Sequence, residues 1–363
     1  MQSEWGHALR VTVFGASHAP ELGVRITGLP AGLSVDTDAL QSFLNRRMPG
    51  GGAGRTARRE PDRILFREGL ADGKTTGAPL VAVIENTDAD SAPYQPFSDT
   101  PRPSHIDYPA RLRFGEDVDL RGGGHFSGRM TAAYCIAGGV AMQQLNRLGV
   151  RIAAHLRSVG DAEDDPFDPV DPDPAALQAI ARKDFPVQND ACGARMQALI
   201  RSVAAEGDSI GGAIECIVTG FPAGHGSPLF SGVDSRLASL LFAVPAVRGV
   251  AFGSGFDAAR MRGSAHNDPY CEQNGVVRTE TNRHGGLIGG IGTGMPILFT
   301  VAVKPAASIA LPQTTLNLKT HAQQVLTVSG RHDACIAVRA VPVIEAVAAL
   351  ALYDLLLEER YAE

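Results

Sequence analysis

A mixed helix-and-strand fold is what this 363-residue sequence predicts. Short runs of β-forming residues, bounded by Gly and Pro, alternate irregularly with apolar runs of helical length. Hydrophobic residues make up 44% of the chain and charged residues 20%, enough apolar material for a substantial core and far from a disordered composition. The length suits two ordinary domains or one large one.

Taken in order, Leu9–Phe14 reads as a strand ending at Gly15 and delivering Ala16-Ser17-His18 to a turn. Gly23–Thr27 is a second strand and Gly28–Gly32 a turn. Asp36 is placed to cap a helix through Arg47, with Leu40, Phe43 and Leu44 on one face. Leu80–Ile84 is a strand. Arg102-Pro-Ser-His-Ile-Asp107 is a stiff, proline-rich loop that is expected to expose His105. Met130–Met142 has the length of a buried helix. Gly160–Pro174, acidic and rich in proline, reads as a solvated loop. Ala191–Glu206 is a helix, Gly212–Thr219 and Ile297–Val303 are strands, and a long apolar helix follows Arg339-Ala-Val-Pro342 to near Leu357. Ala-Val-Pro recurs at 243–245 and 340–342, a faint hint of duplication.

Composition narrows function. A net charge of −6 argues against a general nucleic-acid binder. No run of 18 apolar residues and no leader pattern is visible, so a cytosolic protein with no membrane partner is expected. Cys135, Cys192, Cys216, Cys271 and Cys335 are scattered without a CxxC pair and read as buried free thiols. Two nucleotide-loop imitations fail. Asp72–Gly77 lacks the upstream glycine of a phosphate loop, since Glu68 stands there. Val250–Ala258 mimics a dinucleotide fingerprint with no convincing helix or second strand after it.

Two segments do carry chemistry. Arg121-Gly-Gly-Gly-His-Phe-Ser-Gly-Arg129 brings three glycines and cationic side chains to the start of a predicted helix, where unpaired N–H groups and the dipole favour an anion. Arg46, Arg47, Arg55, Arg58 and Arg59 lie in a glycine-rich stretch of an acidic chain, and the guanidinium fork matches phosphate and carboxylate.

With those segments in view, the chain resembles chorismate synthase. The resemblance rests on Phe14-Gly-Ala-Ser-His18, Arg46-Arg47 with Pro49-Gly50, Arg59-Glu-Pro-Asp62, Gly73–Gly77, Arg102-Pro-Ser-His105, Arg121–Gly124, Gly285-Gly with Gly289-Gly-Ile291, Lys304-Pro305 with Ser308-Ile309, and Gly330-Arg-His-Asp333, all in family order. It implies a single α+β domain over residues 1–363, a β-α-β sandwich of antiparallel sheets around a helical core, assembled as a homotetramer. It also implies loss of phosphate from 5-enolpyruvylshikimate 3-phosphate by anti-1,4-elimination, with reduced FMN required and no net oxidation. A phosphate leaving group needs an acid or charge neutralisation, and a histidine titrating near neutral pH can be that donor.

Carried over by position, the resemblance makes His18 the acid toward the departing phosphate and His105 the proton partner of reduced flavin. Asp333 becomes the group that helps the flavin take the C6 proton. Arg47, Arg55, Arg129 and Arg339 are implied for substrate. His125, Phe126, Ser127, Gly289, Lys304, Ala306, Ala307, Ser308 and Arg331 are implied for FMN. The chain departs from the family pattern at Ala16 and Ala19, around Ala53, at His125-Phe126, and at Ala306-Ala307, where hydroxyls are common. His125 is a candidate cation toward reduced flavin, or else a neutral ring bonded to backbone. Because no dinucleotide motif holds, an external reductant is expected in place of reduction by the protein's own use of NADPH. The alternative is a flavin- or phosphosugar-binding protein without turnover on the same fold.

Overall fold

Two glycines in the middle of an apolar helix set the spacing of the layers. In the computed structural model, which describes residues 2–48, 62–87, 99–328 and 333–362, the helices are α1 (Thr37–Asn45), α2 (Asp107–Phe114), α3 (Thr131–Arg147), α4 (Pro174–Ala181), α5 (Asp190–Ala205), α6 (Val233–Phe242), α7 (Gly263–His266) and α8 (Ala337–Ala362). A Cβ on Gly138 of α3 would fall 2.3 Å from the Ala346 carbonyl of α8, and one on Gly139 would fall 2.3 Å from Leu40 of α1. The missing side chains let α1 and α8 close on α3 from two directions.

Outside these helices lie two five-stranded antiparallel sheets. The first runs Gln2–Trp5, Arg10–Gly15, Glu21–Thr27, Leu80–Glu85, Leu65–Glu68. The second runs Val247–Phe252, Ile297–Val303, Gly212–Thr219, Arg151–Val159, Ala162–Glu163. Helix α3 packs on the first sheet through Glu21–Thr27 and Arg10–Gly15, α8 packs on the second through Arg151–Val159 and Gly212–Thr219, and the two helices pack on each other. One continuous hydrophobic cluster runs through all four layers. The α+β sandwich of antiparallel sheets around helices is therefore the observed architecture.

Local signals hold where they were strong. Asp36 caps α1, its carboxylate accepting from the N–H groups of Asp38 and Ala39 at 3.1 and 2.9 Å. Leu40 and Leu44 are buried on the inner face. Asn189 caps α5 in the same way.

Several readings need correction. Gly160–Pro174 is not solvated throughout. Asp164 and Phe167 are buried, because Asp164 accepts from His155 and from the Gln188 and Asn189 N–H groups. Of the five thiols, Cys271 is only partly covered and the other four are buried. The two Ala-Val-Pro copies are unlike: 243–245 follows the end of α6, whereas 340–342 lies inside α8. Helix α8 is long and apolar enough to cross a membrane, yet its apolar window is 94% buried between the layers, as a core helix is. Its buried acids have backbone work: Asp354 accepts from the N–H groups of His7 and Leu9, at 3.1 and 2.7 Å, pinning the chain's beginning to its last helix.

Candidate active site

Helices α3 and α8 both begin at one cavity of about 1260 Å³. Its lining includes Thr131 and Tyr134 from the first turn of α3, and Ile336, Arg339 and Val343 around the start of α8. Both positive helix ends therefore lie against it. Among the described residues, Arg47, Arg102, Arg129, Arg248, Lys304 and Arg339 line it against two carboxylates, Asp62 and Asp333. In a chain of net charge −6 this is a local reversal of sign, suited to an anionic ligand.

The glycine loop forms one wall. Gly122, Gly123 and Gly124 have φ of 59°, 86° and 56°, a left-handed run that only glycine holds without strain. A Cβ on Gly122 would meet the His18 ring at 2.5 Å, so the bare backbone is what gives His18 its place. Arg121 turns away instead, onto Asp119 at 2.8 Å, and lies outside the cavity lining.

Behind the loop the arginines are held rather than loose. Arg47 donates from Nε to Thr131 Oγ1 at 3.0 Å, from Nη2 to the Arg129 carbonyl at 3.2 Å, and from Nη1 to Asp62 at 3.2 Å. Arg129 pairs with the other Asp62 oxygen and also reaches Asn86. Burial, with the Arg339 cation next, presses the Arg47 guanidinium down to about 10, against the pull of Asp62. Arg339 donates to the Arg47 carbonyl at 3.0 Å and to Asp333 Oδ2 at 2.6 Å.

His105 is half-buried, not exposed as expected, because its Nδ1 lies 2.7 Å from Oδ1 of the buried Asp107. Burial works against charge on Asp107, but hydrogen bonds from Arg102 and His105 outweigh it and hold the carboxyl well below the usual range. Ser308 accepts from Arg102 at 3.1 Å. Burial, then the Arg248 cation, lowers the Lys304 ammonium from its ordinary value. Phe126 stacks at a tilt on Phe114, centroids 5.9 Å apart. Ser127 accepts from the Arg129 N–H. His125 Nδ1 donates to the Gly15 carbonyl at 2.8 Å and Nε2 meets Ser3 Oγ at 3.0 Å. Both nitrogens are thus engaged in a way that a neutral ring satisfies.

His18, His105, Asp333, Arg47, Arg129, Arg339, His125, Phe126, Ser127, Lys304, Ala306, Ala307 and Ser308 therefore meet at one cavity. Gly289 does not: it sits in the tight turn between Leu287–Ile288 and Ile291–Gly292. Arg55 and Arg331 lie outside the described residues. Sequence reasoning missed Asp62, Arg102 and Asp107 as partners, although each stood inside a quoted motif; Arg248 and Tyr134 carried no signal at all.

Fold and site together define an α+β sandwich protein with a cation-lined pocket that also holds histidine and carboxylate side chains. Comparison with known proteins agrees. The profile of the family "Chorismate synthase" matches residues 9–357. Chorismate synthase of Korarchaeum cryptofilum is 42% identical over 350 residues, 96% of each chain. That of Thermococcus gammatolerans is 42% identical over 361 residues, 98% of each chain. A solved structure, "Crystal Structure of Chorismate Synthase", aligns over 98% of this chain and 93% of its own with a TM-score of 0.77 and 26% identity. The chain belongs to the chorismate synthase family, lyases of aromatic biosynthesis in the shikimate pathway.

Proposed function

We propose that this protein forms chorismate from 5-enolpyruvylshikimate 3-phosphate by anti-1,4-elimination of phosphate, with reduced FMN in the same cavity. The observation that carries this reading is the convergence of His18, His105 and Asp333 with Arg47, Arg129 and Arg339, residues as far apart in sequence as 18 and 339, on one wall system. A substrate with one phosphate and two carboxylates needs such a surplus of fixed cations.

The residues present fit FMN. The cavity exceeds the roughly 300–1,000 Å³ of a single small-molecule site, leaving room for two ligands. Lys304 and Arg248 offer charge to a phosphate, Phe126 an apolar face, and the side-chain-free Gly123 a close backbone approach beside Ser127. FMN, when bound reduced, supplies the electron chemistry that lets the C–O bond break without net oxidation.

The chain's own residues bind and handle protons. His18, braced by Gly122, holds the proton offered to the departing phosphate. His105 holds a proton on its ring for the cofactor side. Asp333, steadied by Arg339, is the side chain that helps take up the C6 proton in this reading. The arginines neutralise the substrate and, with the helix ends, the phosphate as it leaves.

The same reading includes a cytoplasmic homotetramer supplied with reduced flavin by another protein. The strongly exposed Leu229, Phe230 and Phe256 support an assembly. The test is anaerobic: protein, reduced FMN and 5-enolpyruvylshikimate 3-phosphate are mixed and chorismate is measured. Binding of both ligands without chorismate would overturn the reading in favour of a non-catalytic binder.

A further inference from the structure

We infer that Asp107, clamped by Arg102, is the positioning residue that fixes the His105 proton on Nδ1 and leaves Nε2 as the nitrogen that exchanges protons with a ligand in the cavity. The catalytic consequence rests on the proposed function; the ring assignment does not.

Asp107 is 1% exposed, so its charge must be met inside the protein. Arg102 meets it three times: Nε to Oδ2 at 2.8 Å, Nη2 to Oδ1 at 2.7 Å and the backbone N–H to Oδ2 at 3.0 Å. This fork fixes the plane of the carboxylate. Two groups then compete for His105 Nδ1, Asp107 Oδ1 at 2.7 Å and Arg102 Nη2 at 2.9 Å. A guanidinium only donates and a carboxylate only accepts. If Nδ1 carried no proton, Arg102 would donate to it, but two lone pairs would face each other across the 2.7 Å gap to Asp107. With the proton on Nδ1, that short contact becomes a charge-assisted hydrogen bond, and Arg102 Nη2 keeps its bond to Oδ1 at 2.7 Å. The second state leaves no acceptor facing an acceptor, and the lowered pKa of Asp107 agrees with it.

The unit is also tied to the far wall. Arg102 Nη1 donates to Ser308 Oγ at 3.1 Å, and Lys304 Nζ reaches the Ser104 carbonyl at 3.4 Å. Ser104 is held at φ 56°, a conformation its neighbours must enforce. Among the described residues, Arg102 and Asp107 from its own turn are the charges in contact with the ring, and Lys304 from the strand end opposite reaches the neighbouring Ser104 carbonyl.

The experiment combines ring ¹⁵N spectra of histidine-labelled protein without ligand, assigned with His105→Ala, and kinetics of Asp107→Asn. In the parent, neutral His105 is expected as the Nδ1–H form. In Asp107→Asn it should shift toward Nε2–H, because the amide cannot both satisfy Arg102 and accept from Nδ1. Turnover should fall on the order of 10²-fold, with KM changed less than about threefold. In a His105→Ala background the same substitution should cost no further turnover. A parent spectrum showing Nε2–H, or losses that multiply in the double variant, would overturn the proposal. If Asp107→Asn does not fold, the parent spectrum alone decides. If the parent makes no chorismate, the proposed activity fails while the spectra still test the proton's position.

Discussion

Arg47 and Asp62 form a nearly buried ion pair in the cavity wall, Nη1 to Oδ2 at 3.2 Å with each side chain 2% exposed. The second Asp62 oxygen takes Arg129, so one carboxylate holds two of the implied substrate arginines in place. Two guanidiniums this close would otherwise repel. Asp62 thus fixes their spacing before any substrate arrives, at the cost of occupying part of their donor capacity.

Asp62→Ala should therefore be damaging in the absence of ligand. It removes the counter-charge that Arg47 has among the described residues, and breaking a buried pair this way costs about 3–5 kcal/mol. Urea unfolding should show the loss, and millimolar phosphate should restore more stability to the variant than to the parent, because an anion can take the vacated position. A variant as stable as the parent would mean that Arg47 has other support.

Gly122→Ala should separate activity from folding. Its φ of 59° costs a side-chain-bearing residue roughly 1–2 kcal/mol. The added methyl would strike the His18 ring, which would have to move. A displacement of about 1 Å at a catalytic group can cost on the order of 10²-fold. Chorismate formation should drop by that order while thermal unfolding remains cooperative. Unchanged turnover would remove His18 from the chemistry.

The sequence made the cavity's motif side chains legible but not the partners that hold them. His18, His105, Arg47 and Asp333 stand in recognisable motifs, and local patterns placed α1, α3 and the strands Gly212–Thr219 and Ile297–Val303 well. The pairings were invisible because they are tertiary: Arg102 meets Ser308 across 206 positions and Arg46 meets Glu345 across 299. Arg151–Val159 escaped notice as a strand because its centre is His155, a residue that apolar periodicity does not count, and one that is fully buried here.

His155 gives a pH prediction. Its Nδ1 and Nε2 lie 2.8 and 3.1 Å from Asp164 and Glu215. Burial opposes its charge, but the two carboxylates prevail and raise its pKa. The folded value lies above the unfolded one, so the stability it adds is full below about pH 6.5. It is lost as pH rises from there through the raised folded value, at most about 1.4 kcal/mol per pH unit. The stability advantage of the parent over His155→Gln, measured by urea unfolding, should shrink as pH rises above about 6.5. A constant advantage would show that the ring is buried neutral.

The final prediction concerns His125, where the chain leaves the family pattern. The charge role expected from the sequence would make FMN affinity fall as pH rises. The geometry argues otherwise. The Gly15 carbonyl requires a proton on Nδ1, and Ser3 Oγ can donate to Nε2, so a neutral ring meets both partners without a net charge. His125 then acts by tying the glycine loop to the ends of the two strands that carry Ser3 and Gly15. His125→Arg would add a permanent charge and replace the ring with a longer, flexible side chain in the place the ring fills. Its FMN affinity should therefore weaken, while the change in affinity between pH 6 and 8 stays parallel to that of the parent. Titrating FMN binding in both proteins across that range decides the matter: a steep parent curve that the arginine flattens would restore the charge role.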